Sequence, residues 1–229
     1  MSTRAQHHQE PVPGEASEAT GPSRAELINR WTEIVSAILL GLVTIATAWS
    51  GYQSARWGGV QSTKYSEASA LRVESTRAST QAGQQTQIDV GLFSNWLNAY
   101  ADENQPLEEF YRERFREEFV PAFEAWLATQ PAQNPEAPPS PFAMPEYQLA
   151  ASQQSEELEQ QASATFEEGK AANQQSDDYI LNAVILASVL FLAGIAPRFD
   201  WLPVRIAVIV VAVVFMGLGL YNIATYPIN

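Results

Sequence analysis

Two apolar runs, Tyr179–Ala196 and Trp201–Tyr221, are separated only by Pro197-Arg198-Phe199-Asp200. Neither contains an acidic residue, and each has the length, about 18–21 residues, that a helix needs to cross roughly 30 Å of hydrocarbon. So short a connection makes the two helices antiparallel neighbours, which predicts a membrane hairpin. A third run, Ile34–Trp49, sits between Trp31 on one side and Trp49 with Tyr52 on the other, the aromatic placement of a span with two bilayer interfaces. On the same reasoning Tyr179, Trp201 and Tyr221 are the interface anchors of the hairpin. The predicted fold class is an all-α membrane protein. It has three transmembrane helices, with a helical extramembrane stalk and domain between the first and the second.

The 229 residues are 46% hydrophobic, yet their mean hydropathy is only -0.16. The two values agree if the apolar residues are concentrated in spans and the remainder is polar. The predicted organisation is a disordered cytoplasmic tail over 1–25, a first span over 26–52 and an acidic helical domain over 53–177. A hairpin over 178–221 (spans 178–196 and 201–221) and a short tail over 222–229 follow. Between Ser50 and Asp177 there are 19 acidic and 8 basic residues, so most of the formal net charge of -13 lies there. Such a surface repels nucleic acid and anionic headgroups, which need clustered Lys and Arg. Without cysteine, disulfide scaffolds and thiolate metal sites are excluded. The N-terminal 24 residues have no apolar core or cleavage pattern of a signal peptide. Arg24, Arg30, Arg198 and Arg205 outnumber Arg56, Lys64 and Lys170 across the bilayer, which places the N-terminus and the hairpin turn in the cytoplasm.

From Ser54 to Tyr100 there is no proline, and small or apolar residues recur at helical spacing: Val60, Ala68, Leu71, Ser75, Ala78, Ala82, Leu92 and Trp96. This predicts a long helix running on from the first span, kinked near Gly58-Gly59 and Gly83. Its narrow Ala-rich stripe suits close packing on another helix. After Asp102–Pro106 the aromatics Tyr111, Phe115, Phe119 and Phe123 follow at intervals of four, with Trp126 close behind, and Pro121 predicts a kink or a second short helix over 121–129. The stripe reads as the core of an outer subdomain, or alternatively as a partner-binding face. Arg112, Arg114 and Arg116 among Glu109, Glu113, Glu117 and Glu118 read as a solvated, self-paired face. Prolines dominate 130–145, an extended connection that Phe142, Ala143 and Met144 pin to the helices. Glu146–Asn173 is helical, with Leu158, Ala162 and Phe166 spaced by four, and continues past Gly169 into the second span.

Ala55-Arg56-Trp57 through Ala68-Ser69-Ala70, and Leu186-Ala187-Ser188 through the Arg198-to-Trp201 turn, resemble segments of a bacterial family of uncharacterised membrane proteins. Its members have one N-terminal span, a polar helical segment and a C-terminal two-span hairpin. The resemblance covers about half the chain and excludes the Pro-rich segment and the aromatic subdomain. It implies an inner-membrane location and carries over no activity.

The only histidines, His7 and His8, lie in the tail, leaving no imidazole for acid–base chemistry or metal ligation elsewhere. Phosphate-binding glycine loops, nucleophile elbows and metalloprotease motifs are absent. No enzyme activity, cofactor or metal is expected. The spans hold Ser36, Thr44, Thr47, Asn182 and Ser188 in place of the ionisable residues that mark ion pathways, and Gly41, Gly194, Gly217 and Gly219 allow close helix approach. The expected function is a non-enzymatic scaffold or accessory subunit. Its partners are the lipid bilayer and either further copies of itself or other membrane proteins, with no nucleic acid. The alternative is a sensor or adaptor whose outer domain binds a ligand or partner.

Overall fold

The computed structural model describes residues 24–229, all of whose regular elements are helical. The expected disordered tail lies almost wholly outside the described residues. There are five α-helices: α1 (Arg24–Ala101), α2 (Gln105–Arg112), α3 (Val120–Ala128), α4 (Ala150–Ile195) and α5 (Leu202–Thr225). Three of them, α1, α4 and α5, are long and apolar enough to cross a membrane, with stretches of mean hydropathy 1.9, 2.3 and 2.5. The chain divides into two compact units. One combines α1 up to Ser50 with Leu181–Thr225; the other combines Gly51–Ile180 with Tyr226–Asn229.

In the first unit α1, α4 and α5 form a three-helix bundle. Ser36, Leu39, Val43, Ala46 and Ser50 are buried on α1, alternating three- and four-residue steps as a left-handed helix seam requires. Val43 and Ala46 pack with Leu186 and Val189 of α4 and Ala212 of α5. The backbones of α4 and α5 approach closely where α5 has glycine: a Cβ on Gly219 would lie 2.6 Å from Cδ2 of Leu186. Beside it, Asn182 is fully buried and joins all three helices. Its amide donates to Ser50 Oγ at 3.1 Å and to the Gly219 carbonyl at 3.2 Å, and its carbonyl accepts from Asn222 at 3.1 Å. Helix α5 runs on to Thr225, four residues past the predicted end, which brings Asn222 into this network rather than into a tail. Arg205, counted among the arginines at the hairpin turn, is buried, 4.0 Å from Glu33. It sits within the first turn of α5, and its guanidinium turns toward a carboxylate of α1.

The second unit is built on an antiparallel pair of helices, α1 and α4. Ser54 Oγ meets Ser176 Oγ at 3.0 Å, and Ser75 Oγ meets Ser155 Oγ at 3.1 Å. The two pairs are three heptads apart on both helices, so one register holds throughout. Ala68, Ala78 and Ala82 on α1, and Ala151, Ala162 and Ala172 on α4, are buried along it, and Leu71 is half-buried. Close approach is enforced at Gly169, where a Cβ would stand 2.6 Å from the Tyr65 ring. Phe166 is off the seam, stacked on Tyr65 at 5.0 Å with the Arg72 guanidinium over its ring at 5.2 Å, because the inward positions are the buried Ala162 and Gly169 and the half-buried Thr165. Helix α1 runs unbroken through Gly58-Gly59 and Gly83, the positions at which kinks were expected. Each glycine costs about 1 kcal/mol relative to alanine but leaves the backbone hydrogen bonds intact, and packing on α4 outweighs it. The last residues return to this unit. Trp57 Nε1 and the Tyr179 hydroxyl both donate to the Pro227 carbonyl, at 3.1 and 3.3 Å, and the Asn229 amide donates to Gln53 at 3.1 Å.

Candidate functional site

At the far end of the α1–α4 pair, the residues from Asp102 to Gln148 fold into an aromatic cap. Asn104 caps α2, its Oδ1 accepting from Leu107 N at 3.3 Å, and Pro106 and Pro121 occupy the first turns of α2 and α3, where a missing N–H costs nothing. The sequence stripe is confirmed as core: Phe115, Phe119, Phe123 and Trp126 are buried, with Tyr111 half-buried beside them. They close around Phe93 and Trp96 of α1. Phe93 meets Trp126 edge-on at 5.3 Å, Trp96 meets Phe123 at 4.8 Å, and Phe142 stacks on Phe119 at 5.2 Å. The Pro-rich loop is therefore anchored by Phe142, and by Trp126 Nε1 donating to the Pro138 carbonyl at 2.8 Å. Within it Pro141–Ala143 form a single 3₁₀ turn rather than continuing extended.

Under this core lies a polar network that sequence reading missed. Asp89 is completely buried, with Arg116 Nη1 at 2.9 Å and the Tyr147 hydroxyl donating to it at 3.0 Å. Arg116 also pairs with Glu118, whose Oε1 accepts the Ala150 amide at the start of α4 at 3.1 Å. Arg116 is thus self-paired with Glu118 as predicted, but it also reaches the buried Asp89 and is not part of a solvated face. The signal was present in the spacing: Asp89 falls seven residues after Ala82 and seven before Trp96, on the buried seam. Its immediate neighbours Ile88 and Val90 are the apolar residues of that stretch, yet they are exposed, so local apolar pattern pointed away from Asp89.

Burial pushes the Asp89 carboxyl above the usual carboxylate range, against the opposing effects of Tyr147 and Arg116, and burial likewise raises the Tyr147 hydroxyl. Because its native value is raised, Asp89 contributes most stability at low pH, and that contribution falls as pH rises through the native value. Asp89→Asn should therefore flatten the pH profile of cap stability between about pH 4, the ordinary carboxylate value, and neutrality. Tryptophan-monitored urea unfolding of both chains across that range checks this; parallel profiles would mean that Asp89 does not titrate as its burial implies.

Two clefts flank the stacked pair Trp96 and Tyr100, whose ring centroids are 5.3 Å apart. One, of about 370 Å³, is lined by Trp96, Leu97, Tyr100, Trp126 and Leu127 with Gln130–Gln133. The other, of about 560 Å³, shares Trp96, Tyr100 and Leu127 and is walled by Glu108, Glu109, Arg112 and Glu113. Both are within the range of small-ligand and peptide side-chain pockets. Leu97 and Tyr100 are 43% and 49% exposed, so apolar surface beside the clefts is open to solvent, as it is at Leu107 and Phe110 of the cap.

The packing candidates Ala68, Leu71, Ala78 and Ala82 face α4 of the same chain. Among the predicted interface anchors, Trp31, Trp49, Tyr52, Trp201 and Tyr221 are exposed, but Tyr179 is fully buried, edge-on to Tyr226 at 5.4 Å. A ring enclosed in this way cannot face headgroups, so Tyr179 is a packing residue. Among the described residues no group of His, Asp or Glu is arranged to hold a metal ion. The chain matches no known protein family, no curated protein and no solved structure.

Proposed function

We propose that this is a three-span membrane protein whose second unit stands outside the bilayer and carries the aromatic cap as a binding module. The single observation behind this reading is the division of apolar surface in that unit. The small-residue stripe, expected to pack on another helix either within the chain or between subunits, is covered by α4 of the same chain. Leu97 and Tyr100 instead remain open beside two clefts. That favours recognition by the cap over scaffolding through the stripe, and it requires no catalytic group. The excess of arginines at the N-terminal side and the hairpin turn orients both toward the cytoplasm and the cap to the other side.

One variant tests both statements, because the chain contains no cysteine. Leu97→Cys should react with a membrane-impermeant maleimide in intact cells. If that reagent carries a photo-crosslinker, illumination should join the cap to a partner from position 97 and not from a control Glu157→Cys on exposed α4. Labelling only after lysis would reverse the orientation. Equal crosslinking from both positions, or none from position 97, would sink the binding-module reading.

A further inference from the structure

The cap carries more carboxylates than its own cations can neutralise, and two of the unpaired ones, Glu108 and Glu109, lie at one cleft. All three arginines of the cap are already engaged. Arg112 lies 3.2 Å from Glu124, Arg114 lies 3.9 Å from Glu113 and over the Phe110 ring at 3.5 Å, and Arg116 is held by Asp89 and Glu118. Among the described residues, no cation stands within ion-pair distance of Asp102, Glu103, Glu108 or Glu109. Glu108 and Glu109 wall the larger cleft, whose floor is Trp96, Tyr100 and Leu127. Arg112 shows what these surfaces accept, since its guanidinium sits 6.0 Å above the Phe123 ring at the same cleft. Aromatic faces beside carboxylates attract guanidinium and ammonium groups by ring quadrupole and by charge together. The neighbouring cleft, lined by Trp96, Leu97, Trp126 and Leu127, has no charged wall and suits an apolar side chain.

Resting on the reading of the cap as a binding module, the geometry points to one occupant: a basic peptide segment of a partner protein. Its Arg or Lys residues lie against Glu108, Glu109 and Glu113, and an adjacent apolar side chain enters the Trp96–Leu127 cleft. A second copy of this chain is disfavoured by the same charge, because its cap would bring carboxylates against carboxylates. Recognition is then sensitive to ionic strength, as expected for charges on an exposed wall.

The test uses the full chain in phosphatidylcholine nanodiscs, with empty discs as reference, and fluorescence anisotropy of a labelled decapeptide. The probe carries four arginines and two leucines in a Ser/Gly background. Parallel probes replace the arginines by glutamate, or the leucines by serine. The Arg/Leu peptide is expected to bind the chain above the empty-disc level and to lose about tenfold or more in affinity with Glu108→Gln/Glu109→Gln/Glu113→Gln. Tyr100→Ala should weaken it as well, whereas Glu156→Gln/Glu157→Gln on α4 should leave it unchanged. The glutamate peptide should not bind, and the serine peptide should bind more weakly. Undiminished binding to the triple variant, or an equal loss with the α4 pair, overturns the inference. If position 97 crosslinks a partner in cells while the Arg/Leu peptide fails to bind, the basic-segment inference falls and the binding module stands. If both fail, the module reading falls with it.

Discussion

Phe119→Ala should unfold the cap under conditions in which the native chain keeps it. Phe119 has no exposed surface and touches Phe115 at 5.0 Å, Phe142 at 5.2 Å and Tyr147 at 5.9 Å between ring centroids. It therefore joins the turn before α3, the Pro-rich loop and the segment leading into α4. Truncating a buried phenylalanine costs about 3–5 kcal/mol, through lost transfer energy and the cavity left behind. Against a typical stability of about 5–15 kcal/mol for a domain, that is a large fraction. Trp96 and Trp126 lie in the same cluster and report on it directly. The expected result is a lower urea midpoint by tryptophan fluorescence, with faster proteolysis within the Pro-rich loop. Phe110→Ala is the control, because Phe110 is 45% exposed. Equal effects from the two substitutions would mean that the aromatic cluster is not the core of the cap.

Val189→Arg should prevent normal integration of the hairpin. An arginine at the centre of a membrane helix costs about 2.5–3.5 kcal/mol of insertion on translocon scales. Here there is a second penalty, because Val189 faces inward with no exposed surface, packed with Val43, Leu186 and Ala212. The guanidinium would have neither lipid headgroups within reach nor a carboxylate beside it. Alkali extraction of membranes, together with a reporter fused after α5, should show the variant released or inverted. Val73→Arg, at an exposed position of the second unit, should integrate normally. Unchanged integration of the Val189 variant would remove the reading of α4 as a membrane span.

The bearing of the structure on the sequence reading is clearest at particular residues. The aromatic stripe from Tyr111 to Trp126 was read as core, and its ring contacts agree. It is not one helix, because α2 ends at Arg112 and α3 begins at Val120, so a spacing of four survives across a turn. The membrane-length runs were equally plain, since about 18–21 consecutive apolar residues have few alternative fates. Asp89 was not recognised as structural, and Asn182 was read only as one of several polar residues able to join helices in the spans. Each is a single polar residue whose significance depends on partners 27 and 40 residues away, Arg116 and Asn222. Tyr179 was assigned to headgroups for the same reason, its enclosure being supplied by Tyr226 and Pro227.

Local chemistry by itself determined that the chain is helical, where its apolar lengths lie, that the connecting segment is acidic, and that the cap has an aromatic core. These depend on side-chain periodicity and composition, which are properties of neighbouring residues. Tertiary structure decided which face of α1 is covered by α4, which carboxylate is interior, and which of the cap's charges already have partners. It also left the two clefts beside Trp96 and Tyr100 open. Those outcomes depend on long-range register: a seam of Ser, Ala and Gly is compatible with many partners until one helix returns alongside it. Once α4 occupies the Ser54–Ser176 and Ser75–Ser155 register, the small-residue stripe is covered, while Leu97 and Tyr100 beside the two clefts stay exposed.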